Sequence, residues 1–440
     1  MKKSFIIFLS SGLLVAGLFT SCKKEIGSLN GASADDLIKN PTRFELNNLV
    51  VGTESGIRSN LDFYLDATGM IGREMYRFAG SEPRYTGDLL GKDNAQPNNN
   101  TFYLTNSWNS RYRAIKNCNL LIQGAANSTS ITAEQKKGYT GFAKTIKAYE
   151  LLINLNLTYT NGVRVEVADP NNPGPFLGYP ESLTAIANLL DEGKTDLTGS
   201  EILFSLSDGF SLAKNGSAVT AAGLLRFNRA LAARVAVYRQ QWAPALTALN
   251  ESFFGLNDDL TDGFYHVYST GPNDQTNLAF FPQNNTGEVR LAHPSYVADI
   301  TPGDDRIGKA TLRNEAASFD DLTSNRDVWV YTSNLAPMPI IRQEELILIY
   351  AEAKANLEQL PDAIVAINRI RDEHNLTPYG GAVSKEALIT ENLRQRRFSL
   401  YFEGHRWVDM RRYNRLNELP KDRPTDDVFD KMPRPQTEGQ

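Results

Sequence analysis

The chain has little of what catalytic and nucleic-acid-binding sites are usually built from. Its 440 residues include 2 cysteines and 4 histidines, and the formal net charge is −5. An acidic balance provides no basic surface for DNA or RNA, so nucleic acid is excluded as a partner. The histidines are scattered without the spacing of a metal site, which favours structural or surface roles. They are His266, His293, His374 and His405.

The motifs of common enzyme classes are also missing. No G-x-x-x-x-G-K-[ST] loop, G-x-S-x-G elbow or dinucleotide-binding glycine fingerprint occurs. Acidic pairs such as Asp258-Asp259 are typical of turns, and sequence spacing cannot show the carboxylate separation that a glycosidase needs. Asp320 and Asp321 could supply oxygen ligands to Ca²⁺, but the spacing of an EF-hand is lacking. We therefore predict a protein that is not an enzyme and needs no cofactor.

One apolar run stands out, at the N-terminus. It covers 5–19, follows two lysines and is interrupted by Ser10 and Ser11. A membrane-spanning helix needs about 20 apolar residues, so this run is better suited to an export signal. A single membrane span and an ordinary secretory signal are the alternatives.

This interpretation also assigns a role to each of the two cysteines. Cys22 ends the sequence LFTSC, which resembles a lipobox. We predict a lipoprotein signal peptide over 1–21, lipidation of Cys22 and a lipid-anchored tether over 22–33. Cys118 is then the single cysteine left, so an internal disulfide is excluded. Its place in a helical stretch favours a buried, unreactive thiol.

Apolar residues recur at helical spacing along much of the chain. In the clearest stretch Leu346, Tyr350 and Ala353 lie on one helix face, and Pro361 marks the start of a second helix. Two helices in about 33 residues are typical of a tetratricopeptide (TPR) unit. The pattern predicts TPR-like helix pairs near 35–60, 106–158, 221–252 and 342–374, and one further helix over 182–199.

The helical period weakens in two loop regions, 61–105 and 262–334, where Gly, Asn, Pro and aromatic residues prevail. Long irregular segments of compact domains are commonly functional, and flexible linkers contain fewer aromatic residues. Sugars have apolar C–H faces and polar edges, so a sugar site needs aromatic rings beside Asn, Asp, Gln or Arg.

Aromatic residues and polar residues of these types occur in both loop regions. The predicted ligand contacts are Arg73, Tyr76, Arg77, Tyr85, Asn98, Tyr265, Tyr268, Asn285, Tyr296 and Trp329. The alternative is that several of these side chains hold their own loops in place, because buried aromatic residues are common under long insertions.

The C-terminal part carries a resemblance to a known family. EELILIYAEAKANL, AIVAINRIRDEHNL and LRQRRFSLYFEGHRWVDMRRYN are similar to the C-terminal signature of the SusD/RagB family, lipid-anchored nutrient-binding proteins of the Bacteroidetes outer membrane. The resemblance implies a mainly α, SusD-like fold over 34–440. In it, four TPR-like helix pairs carry long ligand-contacting loops and a few short strands. It also implies a cell-surface location and a SusC-like TonB-dependent transporter as partner.

The function that this resemblance implies is the binding of an oligosaccharide and its delivery to the transporter, as part of polysaccharide utilisation. A peptide ligand, as in a RagB-like uptake protein, is one alternative. A TPR scaffold that binds only proteins is another, and it predicts few exposed aromatic residues in the loop regions. A surface glycoside hydrolase would need two carboxylates about 5–10 Å apart.

The last helical segment is rich in arginine, and acidic residues lie among the arginines. This mixture predicts internal ion pairs on a solvated helix rather than an anion or polymer site. The arginines are Arg394, Arg396, Arg397, Arg406, Arg411 and Arg412.

Overall fold

The structure is a computed structural model that describes residues 34–212, 219–272 and 274–439. The predicted signal peptide, Cys22 and the tether lie outside these residues. The described chain is mainly helical, as predicted. Within it, no helix combines the length and the apolar character needed to cross a membrane.

The described residues form fourteen α-helices, with short 3₁₀ turns between some of them. The helices are α1 (Ala34–Lys39), α2 (Arg43–Gly56), α3 (Leu61–Ile71), α4 (Arg84–Asp88), α5 (Phe102–Asn127), α6 (Ala133–Thr158), α7 (Tyr179–Leu197), α8 (Ala221–Tyr238), α9 (Trp242–Asn250), α10 (Pro294–Asp299), α11 (Gln343–Asn356), α12 (Leu360–Glu373), α13 (Lys385–Ser399) and α14 (Arg406–Arg412).

Eight short strands lie between the helices. They are β1 (Met75–Phe78), β2 (Val163–Arg164), β3 (Phe176–Leu177), β4 (Gly263–His266), β5 (Val289–Ala292), β6 (Ala310–Phe319), β7 (Leu322–Val328) and β8 (Met338–Arg342). One four-stranded antiparallel sheet has the order β1-β5-β7-β6, and β2-β3 and β4-β8 form two-stranded pairs.

The helices stack in pairs through most of the chain. α5 packs against α6, α8 against α9 and α11 against α12, in agreement with three of the predicted pairs. α7, predicted over 182–199, packs against both α6 and α8. The segment 35–60 differs from its prediction, because α1 and α2 each pack mainly against α5. A TPR-like unit needs two helices that pack on each other, so this segment is not one.

The two predicted loop regions are more regular than expected. The first contains α3, β1 and α4, and the second contains α10 and four strands. β1 pairs with β5 in register from Met75↔Ala292 to Phe78↔Val289, so one sheet joins the two regions. All four residues of β1 are buried, including Arg77. A strand this short, buried on both faces, has no alternation by which the sequence could reveal it.

The turn between α13 and α14 explains the glycine of the FEGH sequence. Gly404 has a φ of +82°, and a Cβ there would lie 2.5 Å from Cε1 of Tyr64. Only glycine avoids both the backbone strain and this clash. The turn brings α14 close to α3, which carries Tyr64.

Three arginines of α13 and α14, Arg396, Arg397 and Arg412, are in ion pairs, as predicted, but the prediction of a solvated helix is wrong. Arg396 is 2% exposed, and its Nε donates to Asp409 Oδ2 at 2.6 Å. Arg412 pairs with both Asp409 and Glu352 of α11. The segment is therefore part of the interior, and the ion pairs join its helices to α11.

Candidate ligand-binding site

The structure places most of the predicted ligand contacts in the interior. The buried ones are Arg73, Tyr76, Arg77, Tyr85, Tyr268 and Tyr296. Arg73 donates to backbone carbonyls that include those of Pro420 and Asp427, and the hydroxyl of Tyr296 donates to the carbonyl of Arg306 at 2.8 Å. These residues make contacts inside the protein, so their burial corrects the prediction that they contact ligand.

Four of the predicted residues keep exposed surface: Asn98, Tyr265, Asn285 and Trp329. Asn98 Oδ1 accepts from the Asn100 N–H, and the Tyr265 hydroxyl donates to the Thr261 carbonyl. These two bond within their own segments. Trp329 and Asn285 belong to a larger group of side chains beside the four-stranded sheet.

That group includes five partly exposed aromatic residues, which we call the aromatic strip. They are Phe63, Phe102, Phe280, Phe281 and Trp329. At one end the rings of Phe63 and Phe102 meet edge to face, with centroids 5.8 Å apart. At the other end the centroids of Phe280 and Trp329 are 6.0 Å apart, with the ring planes at 56°.

Two buried residues connect the ends of the aromatic strip. Tyr85 packs edge to face on Phe102 with a centroid distance of 5.1 Å. The guanidinium carbon of Arg77 lies 5.5 Å from the Tyr85 centroid and 4.4 Å from the Phe281 centroid. Phe281 is adjacent in sequence to Phe280, so side-chain contacts and this one covalent link together connect α3 to Trp329 at the end of β7.

The register of β1 and β5 supports the middle of the aromatic strip. It places Arg77 opposite Arg290, and the guanidinium carbon of Arg290 lies 4.5 Å from the Phe281 centroid. Arg290 donates to both carboxylate oxygens of Asp66, at 2.6 and 2.8 Å. Cation–π contact with two fixed guanidiniums holds the Phe281 ring in one position.

Three residues with amide side chains follow Phe281 and Pro282 in the sequence. They are Gln283, Asn284 and Asn285. The Gln283 Nε2 donates to Thr311 Oγ1 at 2.8 Å, and the Asn284 N–H donates to Asp327 Oδ2 at 2.8 Å. These bonds tie the segment to β6 and β7. Exposed or partly exposed amides therefore lie beside the rings, which is the combination that a sugar site needs.

Exposed apolar residues extend this surface. Leu278, Leu312 and Leu335 are 56%, 63% and 43% exposed. The connections that carry Leu278 and Leu335 are joined by a hydrogen bond from the Asn277 N–H to the Asn334 carbonyl at 2.8 Å. Exposed apolar surface of this kind marks interaction sites.

The carboxylates beside the aromatic strip are each held by an arginine. Asp66 pairs with Arg290, as described above, and Glu288 pairs with Arg77. Asp327 pairs with Arg313. A glycosidase needs one carboxyl group that donates a proton and a second that acts as base or nucleophile, whereas these three carboxylates are occupied by arginines.

The other polar groups singled out in the sequence have structural partners. Asp320, considered for Ca²⁺, pairs with Lys92 and Arg423. Nowhere in the described ranges do three or more His, Cys, Asp or Glu side chains form a group suited to a metal ion. Cys118 is buried, as predicted, and burial raises the pKa of its thiol.

Sequence reasoning missed four members of the aromatic strip. Phe63 and Phe102 lie in α3 and at the start of α5, within a region that the sequence pattern predicted to be irregular, and no sequence signal distinguishes them from buried aromatic residues. A sequence signal could have identified Phe280 and Phe281 as candidate ligand contacts. A pair of phenylalanines directly before Pro282 and three amide residues is unusual in an irregular segment.

Comparisons with known proteins agree with this architecture. Residues 317–438 match the model of the SusD family. A SusD superfamily protein from Bacteroides vulgatus ATCC 8482 has a similar structure, with a TM-score of 0.67 and 15% identity over 90% of this chain and 96% of that chain. No curated protein sequence matches the chain.

Two further solved structures are similar. NanU of B. fragilis has a TM-score of 0.65 and 16% identity over 89% of this chain and 94% of its own. Surface glycan-binding protein A from Bacteroides thetaiotaomicron, in complex with laminarihexaose, has a TM-score of 0.66 and 13% identity over 90% of this chain and 97% of its own. At these identities the likeness shows a shared fold.

Proposed function

Because residues 317–438 match the SusD family model, we propose that this chain is a nutrient-binding protein of the SusD/RagB family that holds an oligosaccharide on the aromatic strip. The observation that carries the proposal is the row of partly exposed rings beside the amides of 283–285. The C–H faces of sugar rings pack on aromatic rings, and sugar hydroxyls exchange hydrogen bonds with amides.

The shape of the aromatic strip favours an extended ligand. Its rings come from α3, α5, the segment before β5 and the end of β7. The planes of Phe280 and Trp329 are tilted by 56°, so two sugars that lie flat on them cannot be coplanar. A chain that bends between neighbouring sugars fits this arrangement better than a straight one.

The rival hypotheses are less well supported. A scaffold that binds only proteins predicts few exposed aromatic residues in the two loop regions, whereas all five rings lie within 61–105 and 262–334 and exposed leucines lie near them. The glycoside hydrolase hypothesis loses support because the nearby carboxylates pair with arginines. The laminarihexaose complex of a protein with the same fold supports a glycan rather than a peptide.

The match to the SusD family model also supports a location and a partner. We propose that Cys22 is lipidated, that the protein is anchored in the outer membrane at the cell surface, and that it delivers its ligand to a SusC-like TonB-dependent transporter. The lipobox-like sequence LFTSC supports the anchor.

The test is calorimetric titration of the chain that begins at Lys23 with a panel of glycans that includes laminarihexaose, and with peptides. We expect saturable binding of one glycan class and about tenfold weaker binding by Trp329→Ala and Phe281→Ala, since each removes a stacking surface. Phe44→Ala is the matched control, because Phe44 is 73% exposed on α2 and lies outside the aromatic strip. Unchanged affinity of both strip variants, or binding of peptides alone, would contradict the proposal.

A further inference from the structure

A second surface feature does not involve the aromatic strip. It is a groove of about 660 Å³ between the end of α10 and the helices α13 and α14. Four arginines line it, and we call it the arginine groove. They are Arg394, Arg397, Arg406 and Arg415. Two carboxylates, those of Asp299 and Glu418, also line it, so the lining carries an excess of positive charge.

Three of these arginines are fixed by the protein. Arg397 donates to Asp299 Oδ2 at 2.6 Å and to Ser295 Oγ at 2.7 Å. Arg394 donates to the Asp299 carbonyl at 2.7 Å. Arg415 donates to Thr390 Oγ1 at 2.7 Å. A guanidinium has five N–H donors, so each of the three keeps donors to spare.

Arg406 is different, because its guanidinium makes no hydrogen bond or ion pair within 34–212, 219–272 and 274–439. Its Nε is buried without a hydrogen-bond partner. Burial, followed by the like charge of Arg397, lowers the pKa of Arg406 to about 9. An arginine nevertheless stays charged at neutral pH, and a partly buried charge without a partner is costly.

The acidic group that acts most strongly on Arg406 is the buried Glu74, which favours the charged guanidinium. Burial raises the pKa of Glu74 itself to about 8, so it does little to offset the charge. The carboxyl group is therefore mostly protonated at neutral pH. The positive charge of Arg406 remains available to a group that enters the arginine groove.

We propose that the arginine groove is a binding site for a small oxyanion, the carboxylate or sulfate group of an acidic small molecule, with Arg406 as its principal partner. The planar guanidinium binds two oxygens of such a group at once, which suits carboxylate and sulfate better than a monatomic ion. The volume is in the range of small-molecule sites, roughly 300–1,000 Å³. The site is independent of glycan binding at the aromatic strip.

Two classes of ligand carry such an oxyanion: a free inorganic anion and an acidic sugar. The experiment titrates sodium sulfate and sodium glucuronate into the chain that begins at Lys23, with chloride adjusted to keep ionic strength constant and glucose as the neutral control. We expect saturable binding of sulfate, glucuronate or both, and none of glucose. Tighter binding of glucuronate would identify an acidic sugar as ligand, and tighter binding of sulfate an inorganic or esterified sulfate.

Arg406→Gln should weaken this binding by about tenfold or more, because the principal charged donor is lost. The variant removes a charge without a partner, so it should fold at least as well as the wild type. Arg113→Gln is the matched control, since Arg113 is an exposed arginine of α5 outside the arginine groove. Arg394→Gln, also at an exposed position, provides a second groove variant with a smaller expected loss.

The proposal is overturned by any of three results: no saturable binding of either anion, unchanged binding by Arg406→Gln, or an equal loss in Arg113→Gln. Trp329→Ala should bind the anions like the wild type. Failure of glycan binding at the aromatic strip and failure of anion binding at the arginine groove are therefore separate outcomes.

Discussion

At the scale of single residues, the interior contains acidic groups whose protonation depends on burial. Glu74 is 3% exposed. Its Oε1 accepts from the Phe402 N–H at 3.4 Å, while Oε2 is without a hydrogen-bond partner among the described residues. Burial is the main reason that its pKa rises from 4.5 to about 8, and the charge of Arg406 only partly opposes the rise.

This predicts a pH-dependent stability. Because the pKa of Glu74 is higher in the folded than in the unfolded protein, the folded state binds the proton more tightly. The stability that this tighter proton binding contributes is fully present below pH 4.5 and is lost as the pH rises to about 8. Glu74→Gln stays neutral, so we expect it to be more stable than the wild type at pH 9 by roughly 2–4 kcal/mol.

Urea unfolding at pH 5 to 9, followed by tryptophan fluorescence, measures this effect. The stability of Glu74→Gln should fall less steeply with pH than that of the wild type. Glu315→Gln, at an exposed position, should follow the wild-type curve. Parallel curves for the wild type and Glu74→Gln would show that Glu74 ionises at its ordinary pKa.

At the scale of helices, buried ion pairs join segments that are distant in sequence. Arg234 of α8 donates through Nε and Nη2 to the two carboxylate oxygens of Glu345 in α11, at 2.7 and 2.6 Å. Both side chains are buried. Burial alone would raise the pKa of Glu345, but Arg234 lowers it to about 2.

Removing one partner of this pair should therefore be costly. Arg234→Met leaves a buried carboxylate without its main counter-charge, and we expect a loss of about 3–5 kcal/mol in the free energy of unfolding. The double variant Arg234→Met/Glu345→Leu removes both charges and should regain most of the loss. Guanidinium unfolding at neutral pH measures both changes.

An exposed pair provides the control for this prediction. Arg369 and Glu373 lie one turn apart on α12, and Arg369→Ala should cost about 0.5 kcal/mol or less. The stability from the Arg234–Glu345 pair is present above pH 4.5 and lost as the pH falls towards 2, because the folded-state pKa of Glu345 is lowered. A double variant no more stable than Arg234→Met would show that the helices need the charges themselves.

At the scale of the whole molecule, the tail after α14 closes the fold. The Asp427 N–H donates to the Leu90 carbonyl at 2.7 Å, and the Met432 N–H donates to the Leu157 carbonyl of α6 at 2.7 Å. Trp407 Nε1 donates to the carbonyl of Phe429, also at 2.7 Å. The tail thus contacts the first loop region, α6 and α14 together.

Removal of residues 420–440 should lower the melting temperature by roughly 5–10 °C, since Phe429 and Met432 are buried and their packing is lost. Differential scanning calorimetry measures the shift. Removal of 439–440 alone is the control and should leave the melting temperature unchanged. If the longer deletion also leaves it unchanged, the tail adds no stability.

Much of this architecture can be predicted from the sequence because it depends on local order. The spacing of Leu346, Tyr350 and Ala353 specifies a helix face within a few turns, and α11 and α12 lie where that pattern predicts them. The capping of helices and the glycine of the FEGH turn are local in the same way. The C-terminal family signature and the buried Cys118 could also be predicted.

The sequence by itself determined the helical class, the position of three helix pairs and the resemblance of the C-terminal part to the SusD family, because periodicity and contiguous motifs are properties of neighbouring residues. Only the tertiary structure decided which aromatic residues are exposed. Arg77 and Glu288 pair across 211 positions of sequence when β1 meets β5, and that pairing buries Tyr76 while leaving Phe281 at the surface. Exposure depends on such long-range contacts, so composition could point to the two aromatic-rich regions but could not identify which of their side chains reach the surface.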